Sequence, residues 1–157
     1  MSNDTLEIKA SLMMGKPAEE IFEAIVDPEK MSNYFISKGS ARMEEGRTIT
    51  WRFPEMDLEF PVHVKKVETG KYISYTWADF RDGTETLVEF TLTPKNNATF
   101  VTVTEKSRSN DETGIKWLKS NTEGWANFLA CLKAYLEYGI NLRKGAFDPS
   151  QMPEAEK

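Results

Sequence analysis

Residues suited to covalent or metal chemistry are scarce in this chain. Its 157 residues include one histidine, His63, and one cysteine, Cys131. A single thiol excludes an intramolecular disulfide, and one His with one distant Cys makes no recognisable zinc set, so no metal and no cofactor are expected. Phe128 to Leu132 is an apolar run of only five residues, far short of the roughly 20 that span a bilayer, so no membrane insertion is expected. The segment from Ser107 to Gly114 has neither the glycines and lysine of a phosphate-cradling loop nor a nucleophile elbow. Twenty Lys plus Arg against 25 Asp plus Glu leave a net charge of -5. With no basic patch to offset it, that charge argues against nucleic acid as a partner. Met1-Ser2-Asn3-Asp4 has no basic or apolar region of a signal peptide; together with the lone cysteine this gives an expected cytoplasmic location.

What the chain does have is apolar bulk. It is 39% hydrophobic, with nine Phe, five Tyr and four Trp, and a chain of this length buries about 70% of its unfolded surface. Residues 1–157 are read as a single domain with a core from about 6 to 143 and a tail at 144–157, where proline and alternating charge gather.

The periodicity gives an α+β order. Leu6, Ile8, Ala10 and Leu12 alternate with polar residues, which predicts a first strand. Pro17, then Glu19 and Glu20, then the stripe Ile21, Phe22, Ile25 and Val26 predict a helix over about 17 to 26, and Asp27-Pro28 starts a second over about 28 to 35. Strand then follows strand from Ser37 to Ser107. Their greasy faces carry Ile49, Trp51 and Phe53; Phe60, Val62 and Val64; Ile73, Tyr75 and Trp77; Val88, Phe90 and Leu92; Val101 and Val103. Glu45-Gly46, Thr69-Gly70, Asp82-Gly83 and Asn96-Asn97 supply the turns of an antiparallel meander. Trp125, Leu129, Leu132, Leu136 and Ile140 form the stripe of a long final helix, which starts anywhere from Asp111 to Thr122 because Gly114 and Gly124 weaken the pattern. A sheet of about six or seven strands wrapped around that helix is the expected architecture.

The ordered combination of residues 17–30, Phe60 to Trp77 ending in Ser-Tyr-Thr-Trp, residues 86–94, Thr102-Val103-Thr104 and residues 123–133 carries a resemblance. It is similar to the C-terminal domain of the activator of the heat-shock-protein-ninety ATPase, within the START-like or SRPBCC superfamily, and covers about Leu6 to Tyr138. The resemblance implies a helix-grip fold and an apolar cavity between sheet and C-terminal helix that holds a hydrophobic small molecule. It also implies a possible chaperone partner in the stress response, although only five residues precede Leu6 and leave no room for the activator's N-terminal partner domain. Many relatives carry a tryptophan pair and a Gly-Gly step where this chain has Asn33-Tyr34-Phe35 and Glu45-Gly46.

The cavity residues expected on this basis are Trp51, Phe53, Val62, Val64, Ile73, Tyr75, Trp77, Val88, Phe90, Val101, Trp125, Phe128, Leu129 and Leu132. No residue is expected to be catalytic by default. Parity points the Tyr75 hydroxyl and the indole nitrogens of Trp51 and Trp77 inward, and extending Val101 and Val103 by two places turns Glu105 the same way. A solvated strand end is the ordinary expectation for Glu105; only a buried carboxyl there makes Tyr75 and Glu105 candidates for proton transfer in a cyclase- or hydrolase-like enzyme. His63 is expected at the surface and Cys131 in the core, while Glu44-Glu45, Glu55 with Asp57, and Asp79 with Asp82 read as solvated loop charge. A monomer and a homodimer both remain open, the latter through a free sheet edge or an apolar helix end.

Overall fold

A computed structural model describes residues 4–148. The chain runs β1 (Thr5–Met14), α1 (Ala18–Val26), α2 (Pro28–Met31), β2 (Lys38–Gly39), β3 (Thr48–Phe53), β4 (Met56–Glu68), β5 (Tyr72–Ala78), β6 (Glu85–Lys95), β7 (Ala98–Ser109) and α3 (Glu112–Lys133). A wider, π-helical turn over Ala134–Tyr138 extends α3. The order matches the expected β-α-α, six further strands, then a helix. All seven strands pair antiparallel in one sheet, in the order β1-β7-β6-β5-β4-β3-β2. β2 to β7 form the meander, and β1 adds beside β7.

The turns form where glycine and asparagine permit a left-handed backbone. Gly46, Gly70, Gly83 and Asn96 all have positive φ, which costs glycine nothing and asparagine little. The β3–β4 turn at Pro54-Glu55, closed by the pairing of Phe53 with Met56, carries no such signal.

The second helix is shorter than expected. Asp27 caps it by accepting from the Glu29 N–H at 2.9 Å, but the Asn33 side chain takes up the Glu29 and Lys30 carbonyls, and the helix gives way to turns at Ser32. The third begins at the early end of its expected range. Asp111 caps it through the Gly114 N–H at 2.8 Å. Gly114 is a requirement there, because a Cβ would lie 1.8 Å from the Ser109 carbonyl oxygen. Gly139, at φ 67, ends the helical run, so Ile140 is no part of the helix stripe and is 53% exposed.

Most of the space between sheet and helix is filled. α3 buries Trp117, Trp125, Phe128, Leu129 and Leu132 and packs chiefly along β1. From the sheet, the Phe90 ring meets Trp125 at 5.7 Å and Phe128 at 5.5 Å, and Phe35 reaches Phe128 at 4.8 Å. Such edge-on and tilted contacts add to the burial of large apolar area.

Candidate functional site

At one end the filling stops. A cleft opens between the ends of β3 and β5, the middle of α3 and the segment after it. It has two lobes of about 180 and about 320 Å³ that share Phe53, Met56, Trp77, Phe80, Arg81, Asn121 and Arg143. Phe35, Trp125, Asn127 and Phe147 complete the larger lobe, and Thr86 and Trp117 help close the smaller. The larger lobe is at the low end of the size of small-molecule sites.

Of the expected cavity residues, Phe53, Trp77 and Trp125 line this cleft. Trp51, Val62, Val64, Ile73, Tyr75, Val88, Phe90, Val101, Phe128, Leu129 and Leu132 lie instead in the close-packed core. They line neither lobe, because rings and branched chains from sheet and helix already meet there.

Behind the cleft floor is Glu105, and it is not at a frayed strand end. β7 continues to Ser109, and Glu105 is 1% exposed. Four donors converge on it from β5, β6 and α3. Oε2 accepts from Thr86 Oγ1 at 2.6 Å and Trp77 Nε1 at 3.1 Å; Oε1 accepts from Trp125 Nε1 at 2.8 Å and Asn121 Nδ2 at 3.1 Å. Two donors per oxygen is the full complement a carboxylate accepts. Burial without such partners is costly, so the four donors are what allow an acidic group in this place. The strand period places Glu105 inward; Asn121 and Thr86 complete its shell from positions that sequence pattern leaves ordinary.

Tyr75 is inward and fully buried, between Trp51 and Trp77 at 5.3 Å from each ring. Its hydroxyl has no hydrogen-bond partner among the described residues. Burial pushes the phenol well above its usual range, with the nearby Glu105 adding to the effect. Tyr75 therefore stays protonated at any physiological pH.

Two carboxylates expected to be solvated loop charge are instead enclosed by arginines. Glu55, in the β3–β4 turn, takes a side-on pair from Arg143, Nε to Oε2 at 3.1 Å and Nη2 to Oε1 at 2.6 Å, with the two side chains 9% and 13% exposed. The Arg143 guanidinium lies over the rings of Phe35, Phe53 and Phe147 at 5.5, 5.7 and 4.7 Å. These cation–π contacts bring Phe147, from the segment read as a tail, to the mouth of the cleft. Residues 149–157 of that tail lie outside the described residues. Asp79 accepts from Arg81 and from Arg108, which also holds Asp82 at 2.5 Å. Asp57, by contrast, is 99% exposed, as expected of loop charge.

The remaining candidates are peripheral. His63 lies on β4 away from the cleft, its Nδ1 3.1 Å from Thr48 Oγ1. Cys131 is buried, and burial raises its thiol above the usual value, which disfavours the reactive thiolate. Among the described residues no group of three or more His, Cys, Asp or Glu is arranged to hold a metal ion, and no helix is long and apolar enough to cross a membrane.

An antiparallel sheet closed over a long C-terminal helix, with two short helices after the first strand and a cleft at the end, defines the helix-grip class of START-like folds. The family described as activator of Hsp90 ATPase homolog 1-like proteins matches residues 16–137, and the chain belongs to this family. Among solved structures it is similar to protein SSP2350 from Staphylococcus saprophyticus, at 36% identity and a TM-score of 0.77, covering 88% of this chain and 96% of that one. DynU16, described as a protein in the dynemicin biosynthetic locus, gives 27% identity and a TM-score of 0.77 over 88% of this chain, which spans only 49% of DynU16. The Aha1 dimer from Colwellia psychrerythraea shares the fold at 24% identity and a TM-score of 0.72, with 85% and 98% of the two chains covered. No curated protein matches the sequence.

Proposed function

We propose that the protein binds a hydrophobic small molecule in the cleft between the sheet end and α3, without a chemical step of its own. The observation that supports this is the larger lobe of about 320 Å³, whose apolar wall is made by Phe35, Phe53, Met56, Trp77, Phe80 and Trp125. Rings held in place by the core offer contact area with little ordering cost, and a few polar groups at the rim orient the guest. Native mass spectrometry of the purified chain, with a thermal-shift screen of aromatic and lipid compounds, tests the reading. A saturable ligand at one per chain supports it. A screen without any shift, together with ligand-free protein and unquenched Trp77 and Trp125 fluorescence, counts against it.

Proton transfer by Tyr75 and Glu105 is the weaker reading. Both oxygens of Glu105 are already occupied by donors and the Tyr75 hydroxyl reaches no partner. A co-chaperone role rests on the family match alone; an unchanged chaperone ATPase rate in the presence of the chain would remove it. A cytoplasmic location is a further part of this proposal, and sedimentation decides between monomer and homodimer.

A further inference from the structure

We propose that the guest the cleft prefers is an amphipathic anion: a planar apolar body bearing one carboxylate or sulfonate group, recognised by Arg143 with Arg81. This rests on the ligand-binding reading above and goes on to name the chemistry of the ligand.

The chain as a whole is acidic, at -5, yet both lobes of the cleft are lined by the same two arginines. Each uses one edge of its guanidinium internally. Arg143 commits Nε and Nη2 to Glu55, and Arg81 commits Nε and Nη2 to Asp79. A guanidinium has five N–H donors in a rigid fork. The Nη1 amino group of neither side chain finds an acceptor among the described residues, which leaves each arginine a second edge.

Of the carboxylates that neutralise these arginines, Asp79 accepts two donors on each oxygen and Glu55 accepts one on each. The Glu55 oxygens accept from Arg143, and those of Asp79 from Arg81 and Arg108. Both side chains are under one-tenth exposed. Among the described residues, the one acidic side chain on the larger lobe is Glu123, which is exposed. The wall therefore offers two guanidinium edges, each already charge-balanced by a carboxylate, beside the neutral polar side chains of Ser120, Asn121 and Asn127. Three phenyl rings hold the Arg143 plane, so little ordering is needed when an oxyanion docks on its open edge. A neutral guest of the same shape covers those N–H groups without giving them an acceptor, which costs free energy.

The same geometry places Arg143 and Glu55 on the wall of a neighbouring cavity of about 380 Å³, lined also by Ser32, Ser37 and Lys144.

The test compares two probes with one naphthylamine body: 8-anilino-1-naphthalenesulfonate and the neutral N-phenyl-1-naphthylamine. Each is titrated into the full chain, following probe emission and tryptophan quenching. Saturation at one probe per chain separates cleft binding from adsorption to apolar surface. The sulfonate is expected to bind at least about tenfold more tightly, and Arg143→Gln to bring the ratio of the two affinities to about one. Arg81→Gln, at a more exposed side chain, carries the same comparison if the Arg143 variant does not fold, and a partial fall in the ratio is expected. Equal affinities for the two probes overturn the anion proposal and leave the ligand reading standing. The absence of saturable binding by either probe overturns both.

Discussion

Trp125 on α3 donates its indole N–H to Oε1 of Glu105 on β7 at 2.8 Å, with both residues buried. The helix is thus joined by a buried polar bond to β7, the strand beside the β1 edge of the sheet. Trp77 donates to the other oxygen of the same carboxyl, so two of the three indoles that line the cleft are fixed by one acid. Glu105→Leu is expected to destabilise the fold by about 3 kcal/mol, since four donors lose their acceptor, Thr86 and Trp125 buried and Trp77 and Asn121 half-buried. Trp125→Phe, which keeps the ring packing and removes one donor, should cost about 2 kcal/mol. Urea titrations measure both; a neutral Glu105→Leu variant would show that the carboxyl organises nothing.

Tyr75→Phe removes a buried hydroxyl that has no partner. Deleting an unsatisfied group without changing the ring is expected to leave stability unchanged or raise it by about 1 kcal/mol. A loss of more than that, in the same titration, would reveal a partner for the hydroxyl.

Gly114 and Gly124 lie on one helix and respond in opposite ways to the same change. At Gly124 a Cβ meets nothing within 4 Å, and alanine should stabilise by about 1 kcal/mol through helix propensity. At Gly114 the new carbon lies 1.8 Å from the Ser109 carbonyl. The helix start must then shift, and the melting temperature should fall despite the better propensity. A rise at both positions would contradict the close approach of β7 and α3.

Acid weakens the join between the end of the helix and the end of β1. The Glu137 carboxylate accepts from Lys133 Nζ and, at 2.8 Å, from the Gly15 N–H, and these bonds hold its pKa below the ordinary value of 4.5. Asp82 is likewise held below 3.8 by Arg108. A depressed folded pKa means that the unfolded state binds more protons in this range. The contribution is therefore fully present above about pH 5 and is lost as pH falls through the folded values. The fall in melting temperature below pH 4.5 should be shallower for Glu137→Gln than for the parent protein.

The legible parts of this fold are those that repeat. Strand alternation places Trp51, Tyr75, Phe90 and Val103 inward, and all four are buried. Glycine and asparagine mark four of the turns because few other residues tolerate their backbone angles. The helix start is less legible, since Gly114 weakens the helical pattern while the reason for it is a carbonyl in another element. The cleft is the least legible part. Arg143 and Glu55 are 88 residues apart, and neither belongs to a period or a motif. Whether facing rings touch or leave a gap depends on the distance between layers, which no spacing along the chain encodes; hence most of the expected cavity residues lie in the packed interior.

Only Asn110 and Asp111 separate β7 from α3, and the Asp111 cap and the seat of Gly114 on Ser109 leave that corner no slack. The corner acts as an indexing device for everything downstream. One residue added there turns each later helix position by about 100°, which would carry Trp125 off Glu105 and dismantle the cleft floor with every one of its side chains still present in the chain.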